Sequence, residues 1–203
     1  MSDAVERCEW PQAYDDFLDY HDDEWGRPTT DQHRLFEKIC LEGFQSGLSW
    51  LTILRKREAF REAFAGFDFE QVAGFGDEDV DRLLANPGII RNRRKIEATI
   101  NNAKRACEMV ESEGSLVDWI WAWAVETPER VETPEGPRMP ANTRRSTALA
   151  KELKSLGWRF FGPTTLCVHA VRRTDKRPRE ALLRLRSLRK NRGAILAGRT
   201  LRP

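Results

Sequence analysis

The spacing of the apolar residues is the feature that most constrains the fold of this chain. Through most of the sequence they recur every three or four positions, which is the period of a helix, and the two-residue alternation of strands is almost absent. The chain is therefore predicted to be all-α. Helices are expected over 31–42, 49–64, 77–84, 91–113, 117–125 and 143–156, with a proline-rich loop over 127–140.

Composition narrows the class of protein. With 203 residues, 33% of them charged, the chain is long enough to bury one core and contains no apolar run of membrane-spanning length. Its N-terminus lacks the basic head and apolar stretch of a signal peptide, and its four cysteines lie far apart without CxxC spacing. We expect a cytoplasmic protein with no membrane partner, not a secreted disulfide-bonded one.

The distribution of charge divides the chain at Leu166. Segment 167–203 contains twelve Lys and Arg residues against Asp175 and Glu180, whereas the preceding part is acidic. Such a tail is ordinarily a solvated or nucleic-acid-binding arm. Because it lacks the apolar period of the body, we expect one helical domain over 1–166 and a poorly ordered basic tail over 167–203.

Aromatic residues near the N-terminus suggest a binding pocket. Trp10, Tyr20 and Trp25 lie in a polar, acid-rich segment where a core would not require them. Rings with few apolar neighbours favour a stacking pocket for a flat ligand such as a nucleobase. The three tryptophans of 117–125 follow an apolar pattern and are predicted to belong to the core.

Glu42 is the candidate ligand-binding carboxylate. It lies between two predicted helices, next to Gly43 and eight residues before Trp50. A solvated carboxylate at a helix end is one interpretation. The other is a carboxylate at the mouth of a cavity, where it accepts hydrogen bonds from a ligand amine.

A Pro-Gly turn joins two predicted helices. Pro87 and Gly88 are followed by Arg91 and further basic residues in the first turn of a helix, where the helix dipole disfavours positive charge unless an anion is near. A glycine turn can present backbone N–H groups to a phosphate, as in a helix-hairpin-helix DNA-binding element. An ordinary surface turn is the alternative.

Cys8 and His21 would form half of a tetrahedral zinc site. Two ligands do not hold a structural zinc. A buried thiol and a hydrogen-bonded imidazole are therefore the alternative interpretation of this pair.

Together these residues resemble the 3-methyladenine DNA glycosylase I family of the helix-hairpin-helix DNA glycosylase superfamily. The resemblance covers residues 7 to about 166. It rests on Arg7-Cys8-Glu9-Trp10, Tyr20-His21-Asp22-Asp23-Glu24-Trp25-Gly26, Leu35-Phe36-Glu37-Lys38-Ile39-Cys40-Leu41-Glu42-Gly43, Gly47-Leu48-Ser49-Trp50, Gly88-Ile89-Ile90-Arg91 and Phe161-Gly162-Pro163-Thr164-Thr165. It implies an enzyme that flips N3-methyladenine out of alkylated double-stranded DNA and hydrolyses its N-glycosidic bond, leaving an abasic site. We expect a monomer with no obligate protein partner.

The resemblance also assigns roles in the pocket. Glu42 would read the base through hydrogen bonds, Tyr20 and Trp50 would shape the pocket and stack on the base, and Trp10 and Trp25 would complete its wall. An aromatic cage with a carboxylate would select a cationic methylated base over neutral adenine.

Further positions match the family's DNA contacts, and one departs from its pocket. Gly47 and Leu48 match the wedge that fills the gap left by the flipped nucleotide, and Gly88 and Arg91 match the DNA-binding hairpin. Phe17 stands where the family commonly has tyrosine, so the ring is kept and the hydroxyl is lost.

The C-terminus departs more strongly. In the family, the Gly-Pro-Thr-Thr segment leads into a helix and then a histidine and a cysteine four residues apart, which join the equivalents of Cys8 and His21 around a structural zinc. This sequence has no such pair after Thr165, so we expect an incomplete zinc site, while catalysis itself requires no cofactor.

The genetic code offers an explanation for this departure. Codons for 167–179, read from their second base, are compatible with Ala-Phe-Met-Gln-Ser-Val-Gly-Leu-Ile-Asn-Asp-His, which is the family's helix up to its zinc histidine. We interpret the basic tail as out-of-frame translation after a shift near Leu166.

Other classes of function stay open on sequence alone. A noncatalytic helix-hairpin-helix DNA-binding protein, or a pseudoenzyme inactivated by its altered C-terminus, would bind DNA without releasing a base. A helical protein-interaction domain would have no pocket near Glu42. Glycosylases for oxidised or mismatched bases are disfavoured, because we find neither their lysine nucleophile after the hairpin nor a four-cysteine cluster loop.

Overall fold

The structure, a computed structural model, describes residues 14–123 and 140–167, with only the backbone of Cys167. Within these ranges it contains helices and turns and no strand, which confirms the all-α prediction. The helices are α1 (Asp15–Asp23), α2 (Gln32–Gln45), α3 (Trp50–Arg55), α4 (Arg57–Ala63), α5 (Phe69–Ala73), α6 (Asp77–Ala85), α7 (Arg93–Glu113), α8 (Leu116–Trp121), α9 (Arg144–Ser155) and α10 (Pro163–Cys167). None of these helices is long and apolar enough to cross a bilayer. Cys8, Trp10 and the tail beyond Cys167 lie outside the described residues.

Phenylalanine rings form the centre of the core. Six of them are no more than 1% exposed: Phe36, Phe44, Phe60, Phe64, Phe67 and Phe69. The rings of Phe44 and Phe60 lie 4.6 Å apart, and Phe36 meets Phe69 edge-on at 5.7 Å. Burying one such ring contributes about 1.5–3 kcal/mol. Because α2 supplies Phe36 and Phe44, the helix that carries Glu42 is fixed in the middle of the domain.

The apolar period did not predict α1, α5 or α10, of which the last two have only five residues each. The sequence of α1 is Asp-Asp-Phe-Leu-Asp-Tyr-His-Asp-Asp, in which five of nine residues are aspartates and Tyr20 is the one buried side chain, so its composition is that of a polar loop. Helix α5 has five residues, too few to show a period, although Asp68 caps it by accepting the Gln71 N–H.

The single helix predicted over 49–64 is instead two helices. The backbone breaks at Lys56, where φ is −99° and ψ is 1°. The break lets the Lys56 ammonium donate to the carbonyls of Pro87 and Gly88, at 3.0 and 3.2 Å. A tertiary contact with a distant turn therefore overrides the helical period here.

The aromatic helix belongs to the core, as predicted. Trp119 is 5% exposed and lies 6.1 Å from Trp123, and the indole N–H of Trp121 donates to the carbonyl of Thr29. Within the described residues α8 ends at Trp121, and Ala122 and Trp123 form a turn.

Candidate active site and DNA interface

Three helices bring the principal predicted pocket residues together. Tyr20 lies on α1, Glu42 in the last turn of α2, and Trp50 at the first position of α3. The rings of Tyr20 and Trp50 are 5.5 Å apart, with their planes inclined at 48°. Tyr20 and Trp50, which are thirty residues apart in the sequence, therefore lie next to each other.

Glu42 is a buried carboxylate, not a solvated helix end. Helix α2 continues to Gln45, three residues beyond the predicted boundary, and Glu42 is 6% exposed. After the turn at Ser46 and Gly47, Ser49 caps α3 by accepting the Thr52 N–H at 3.2 Å. This cap fixes Trp50 at the start of α3, beside the end of α2.

Lys38 is a member of the cluster that sequence reasoning missed. Its ammonium lies 4.5 Å from the centre of the Tyr20 ring and 4.3 Å from that of Trp50, donates a hydrogen bond to the Tyr20 hydroxyl, and lies 3.8 Å from Glu42 Oε1. The signal was present, because Lys38 and Glu42 are four residues apart on one helix. We name these four residues, Tyr20, Lys38, Glu42 and Trp50, the cation cage.

Burial perturbs the ionisable groups of the cage. Desolvation raises the pKa of Glu42 above its ordinary value, and the positive charge of Lys38 opposes part of that rise. Desolvation lowers the pKa of Lys38, against the pull of Glu42. Burial, followed by the Glu42 charge, raises the pKa of Tyr20, so its hydroxyl stays protonated at neutral pH.

Two further predicted pocket aromatics, Phe17 and Trp25, lie on α1 and in the turn that follows it. Trp25 is 38% exposed and stacks on His21, with ring centres 5.4 Å apart, while Phe17 meets Tyr14 edge-on at 6.1 Å. The structure therefore brings Tyr20, Glu42 and Trp50 together. The contributions of Trp25 and Phe17 to a pocket wall remain predictions.

The predicted wedge is an exposed turn with a buried support. Gly47 has φ +81°, a conformation that favours glycine, and Leu48 is 41% exposed. Behind them, the Lys95 ammonium donates to the carbonyls of Phe44 and Ser46, at 2.9 and 2.6 Å. This contact ties the turn to the first part of α7.

The predicted hairpin joins α6 to α7 by a tight turn. The N–H of Gly88 donates to Asn86 Oδ1 at 2.8 Å within the turn, so the other amides of this segment are the candidates for contacting a phosphate. The first amides of α7, at Arg93 and Arg94, have no partner within the helix by its geometry, and Arg91 is exposed just before them. This end of α7 is where an anion would bind.

Gly88 is required for space. A Cβ at this position would lie 2.9 Å from both Ala59 Cβ and Asn86 Oδ1. We expect Gly88→Ala to lower the free energy of unfolding by about 1–3 kcal/mol, which is the usual cost of overpacking. Denaturant unfolding measures this, with Gly162→Ala as the control, because a Cβ at Gly162 would meet nothing within 4 Å. Equal losses in the two variants would contradict the interpretation.

Comparisons with known proteins agree on one family. The sequence model described as methyladenine glycosylase matches residues 10–172. DNA-3-methyladenine glycosylase 1 of Escherichia coli K12 is 44% identical over 163 residues, which cover 80% of this chain and 87% of the relative. DNA-3-methyladenine glycosylase of Haemophilus influenzae Rd is 44% identical over 159 residues, which cover 78% of this chain and 86% of the relative.

Solved structures give the same result. A crystal structure of 3-methyladenine DNA glycosylase I matches with a TM-score of 0.74 at 42% identity, covering 81% of this chain and 90% of that one. A tyrosine-to-phenylalanine variant of 3-methyladenine DNA glycosylase I, in complex with 3-methyladenine, matches with a TM-score of 0.73 at 35% identity, covering 80% of this chain and 87% of that one.

Proposed function

The chain belongs to the methyladenine glycosylase family, and from that premise we propose how its residues excise N3-methyladenine from alkylated DNA. The enzyme is a DNA repair glycosylase that hydrolyses an N-glycosyl bond and leaves an abasic site. The observation that carries the residue assignment is the cation cage, in which two aromatic rings and one buried carboxylate already surround a positive charge.

The cage suits the charge of the damaged base. Adenine methylated at N3 in DNA is cationic, so it is attracted by the faces of Tyr20 and Trp50 and by the Glu42 carboxylate. Neutral adenine is attracted less strongly both by the ring faces and by the carboxylate. The Trp50 indole N–H, which is buried without a hydrogen-bond partner among the described residues, offers the base a donor.

Bond cleavage then requires little help from an acid. The C1′–N9 bond breaks with its electron pair passing to the base, which leaves as neutral 3-methyladenine, and water adds to C1′ of the oxocarbenium-like sugar while releasing a proton. The protein's contribution is to hold the flipped base, with Glu42 accepting hydrogen bonds from it and Leu48 filling the space that it vacates.

The DNA backbone contact is assigned to the start of α7. A turn in this position would contact phosphates and read no bases, so its contribution should be the same for any sequence. We assign this role to Arg91, which is exposed just before the first amides of α7, whereas Arg93 is already paired with Asp81 at 2.9 Å.

Removing the Arg91 charge should weaken binding to every duplex. We expect Arg91→Ala to lower affinity for alkylated and undamaged DNA in parallel and to reduce the slope of log affinity against log salt by about 1. Titrations at several salt concentrations measure this, with Lys151→Ala on α9 as a control for loss of one exposed charge. A loss confined to alkylated DNA would contradict the hairpin assignment.

The zinc site is proposed to be incomplete. His21 Nδ1 pairs with Asp22 Oδ1 at 2.9 Å, which is the outer carboxylate contact typical of a metal-ligating histidine. Cys8 and His21 would supply two ligands, and the sequence lacks the histidine and cysteine that complete the set in the family. A bound zinc would supply structural stability, not chemistry.

A release assay tests the function. The purified chain, incubated with methylated duplex DNA, is expected to release free 3-methyladenine, detected by chromatography, without cutting the strand. A noncatalytic DNA-binding protein would instead retard the duplex without releasing base. We further propose that the enzyme acts as a monomer with no protein partner, in which case excision and a monomeric mass are seen in the same sample.

A further inference from the structure

Lys38 occupies the centre of the cation cage. Its ammonium lies over two rings and beside a carboxylate, which are the contacts proposed above for the cationic base. Two positive charges cannot share this volume at low cost, because like charges at close range in a poorly hydrated site repel strongly. Lys38 and the substrate are therefore alternatives for the same set of contacts.

The other charged groups around Lys38 are already paired. Glu24, at the end of α1, accepts from Arg57 of α4 at 2.6 Å, and Glu37 on α2 accepts from Arg61, with the closer contact at 2.8 Å. Tyr20 is neutral at neutral pH. Among the described side chains, Glu42 therefore depends on Lys38 for the positive charge closest to it.

A buried carboxylate without a positive partner tends to take up a proton. In the empty cage that partner is Lys38, and in the complex it would be the base. A protonated Glu42 would have no negative charge to attract the cationic base. The empty pocket therefore needs an internal cation that keeps Glu42 ionised.

We propose that Lys38 is a specificity-determining residue that serves as the resident counter-ion of Glu42 and is exchanged for the cationic base on binding. The proposal rests on the function proposed above. Exchange favours charged ligands, because only a cation that replaces the ammonium leaves the buried carboxylate compensated.

The test compares pH profiles of Lys38→Met and the wild-type chain on methylated duplex DNA. The acid limb of kcat/KM, which reports the free enzyme, is expected to move to higher pH in Lys38→Met. The acid limb of kcat, which reports the complex, should stay in place, because the bound base replaces the lost charge. At pH values below both acid limbs, kcat/KM of Lys38→Met should be lower than that of the wild type by about tenfold for each pH unit by which the limb moves.

At pH values above both acid limbs, the variant should no longer have the lower kcat/KM. There Glu42 is ionised in both proteins, and Lys38→Met has no internal cation to displace, so its kcat/KM should equal or exceed that of the wild type. Lys38→Arg keeps the charge and should restore the wild-type limb. Lys104→Met, an exposed lysine on α7, is the control for the substitution itself.

Several results would overturn the proposal. A uniform loss at all pH values would show that Lys38 supports the structure only, and so would limbs of kcat and kcat/KM that move together. Lys38→Arg behaving like Lys38→Met would exclude a role for the charge.

One measurement is independent of catalysis. An NMR titration of the Glu42 carboxyl in the substrate-free chain should show a higher pKa in Lys38→Met than in the wild type, and an unchanged value would also overturn the proposal. Failure of the function itself would instead appear as a wild-type chain that releases no base.

Discussion

Glu42→Gln should reduce excision of 3-methyladenine by roughly 10- to 150-fold, the equivalent of losing one charge-assisted contact of about 1.5–3 kcal/mol. The amide can still form hydrogen bonds, but it presents no charge to a cationic base. Because Glu42 is 6% exposed, solvent does little to screen this loss. Single-turnover excision from methylated duplex measures the effect.

The matched control is a second buried carboxylate on the same helix. Glu37 is 7% exposed and is paired with Arg61, so its charge, unlike that of Glu42, is compensated without Lys38. Glu37→Gln should lower stability and leave excision per folded molecule nearly unchanged. If Glu42→Gln keeps the wild-type rate at equal folded fraction, Glu42 is not part of the site.

Glu42 also links stability to pH in an unusual direction for a carboxylate. Its pKa is raised in the folded state, so its ionisation opposes folding. The stabilising contribution of the protonated group is complete below the unfolded pKa and is lost as pH rises through the folded pKa. Glu42→Gln should therefore cost little stability at neutral pH while it removes most of the activity.

A chain whose reading frame is restored after Leu166 should bind one zinc per molecule and melt at a higher temperature than the present chain. The shifted reading of 167–179 ends on a histidine triplet, and the codons of Leu182 and Leu183 admit a cysteine four residues later. Together with Cys8 and His21, these complete a four-ligand tetrahedral set.

The expected rise in melting temperature follows from the linkage between zinc binding and folding. Zinc at 100 times its dissociation constant adds about 2.7 kcal/mol, and each 1 kcal/mol raises the melting temperature of a domain of this size by about 2–4 °C. Metal analysis and thermal unfolding, each with and without chelator, measure the gain. Cys8→Ser in the restored chain should abolish it.

The present chain is the second control. We expect it to hold less than one zinc per molecule after purification. One tightly held zinc in this chain, or a restored chain with no gain in metal or melting temperature, would contradict the frame interpretation. Sequencing the gene across Leu166 gives a direct answer on the frame itself.

The sequence predicted the helical class, because the apolar period is a local signal, whereas the grouping of Glu42 with Trp50 was implied by the resemblance. The apolar face of α2 and the short turn before Ser49 determine where these two side chains lie. Tyr20 too could be placed with them only through the resemblance, since five of the nine residues of α1 are aspartates and the segment has the composition of a loop.

What the sequence could not predict depends on contacts between distant segments. The break at Lys56 follows from carbonyls at Pro87 and Gly88, more than thirty residues away. The hydrogen bond of the Gly88 amide depends on the rotamer of Asn86. The contacts of Lys38 depend on how α1 and α3 pack against α2, and the apolar period of the sequence does not predict that packing.

Two lysines join the wedge turn and the hairpin into one unit. Lys95 holds the carbonyls of Phe44 and Ser46, just before Leu48, and Lys56 holds those of Pro87 and Gly88. If the start of α7 contacts the DNA backbone as proposed, these hydrogen bonds would hold Leu48 at a set distance from that contact, so the wedge and the hairpin would move together as one body.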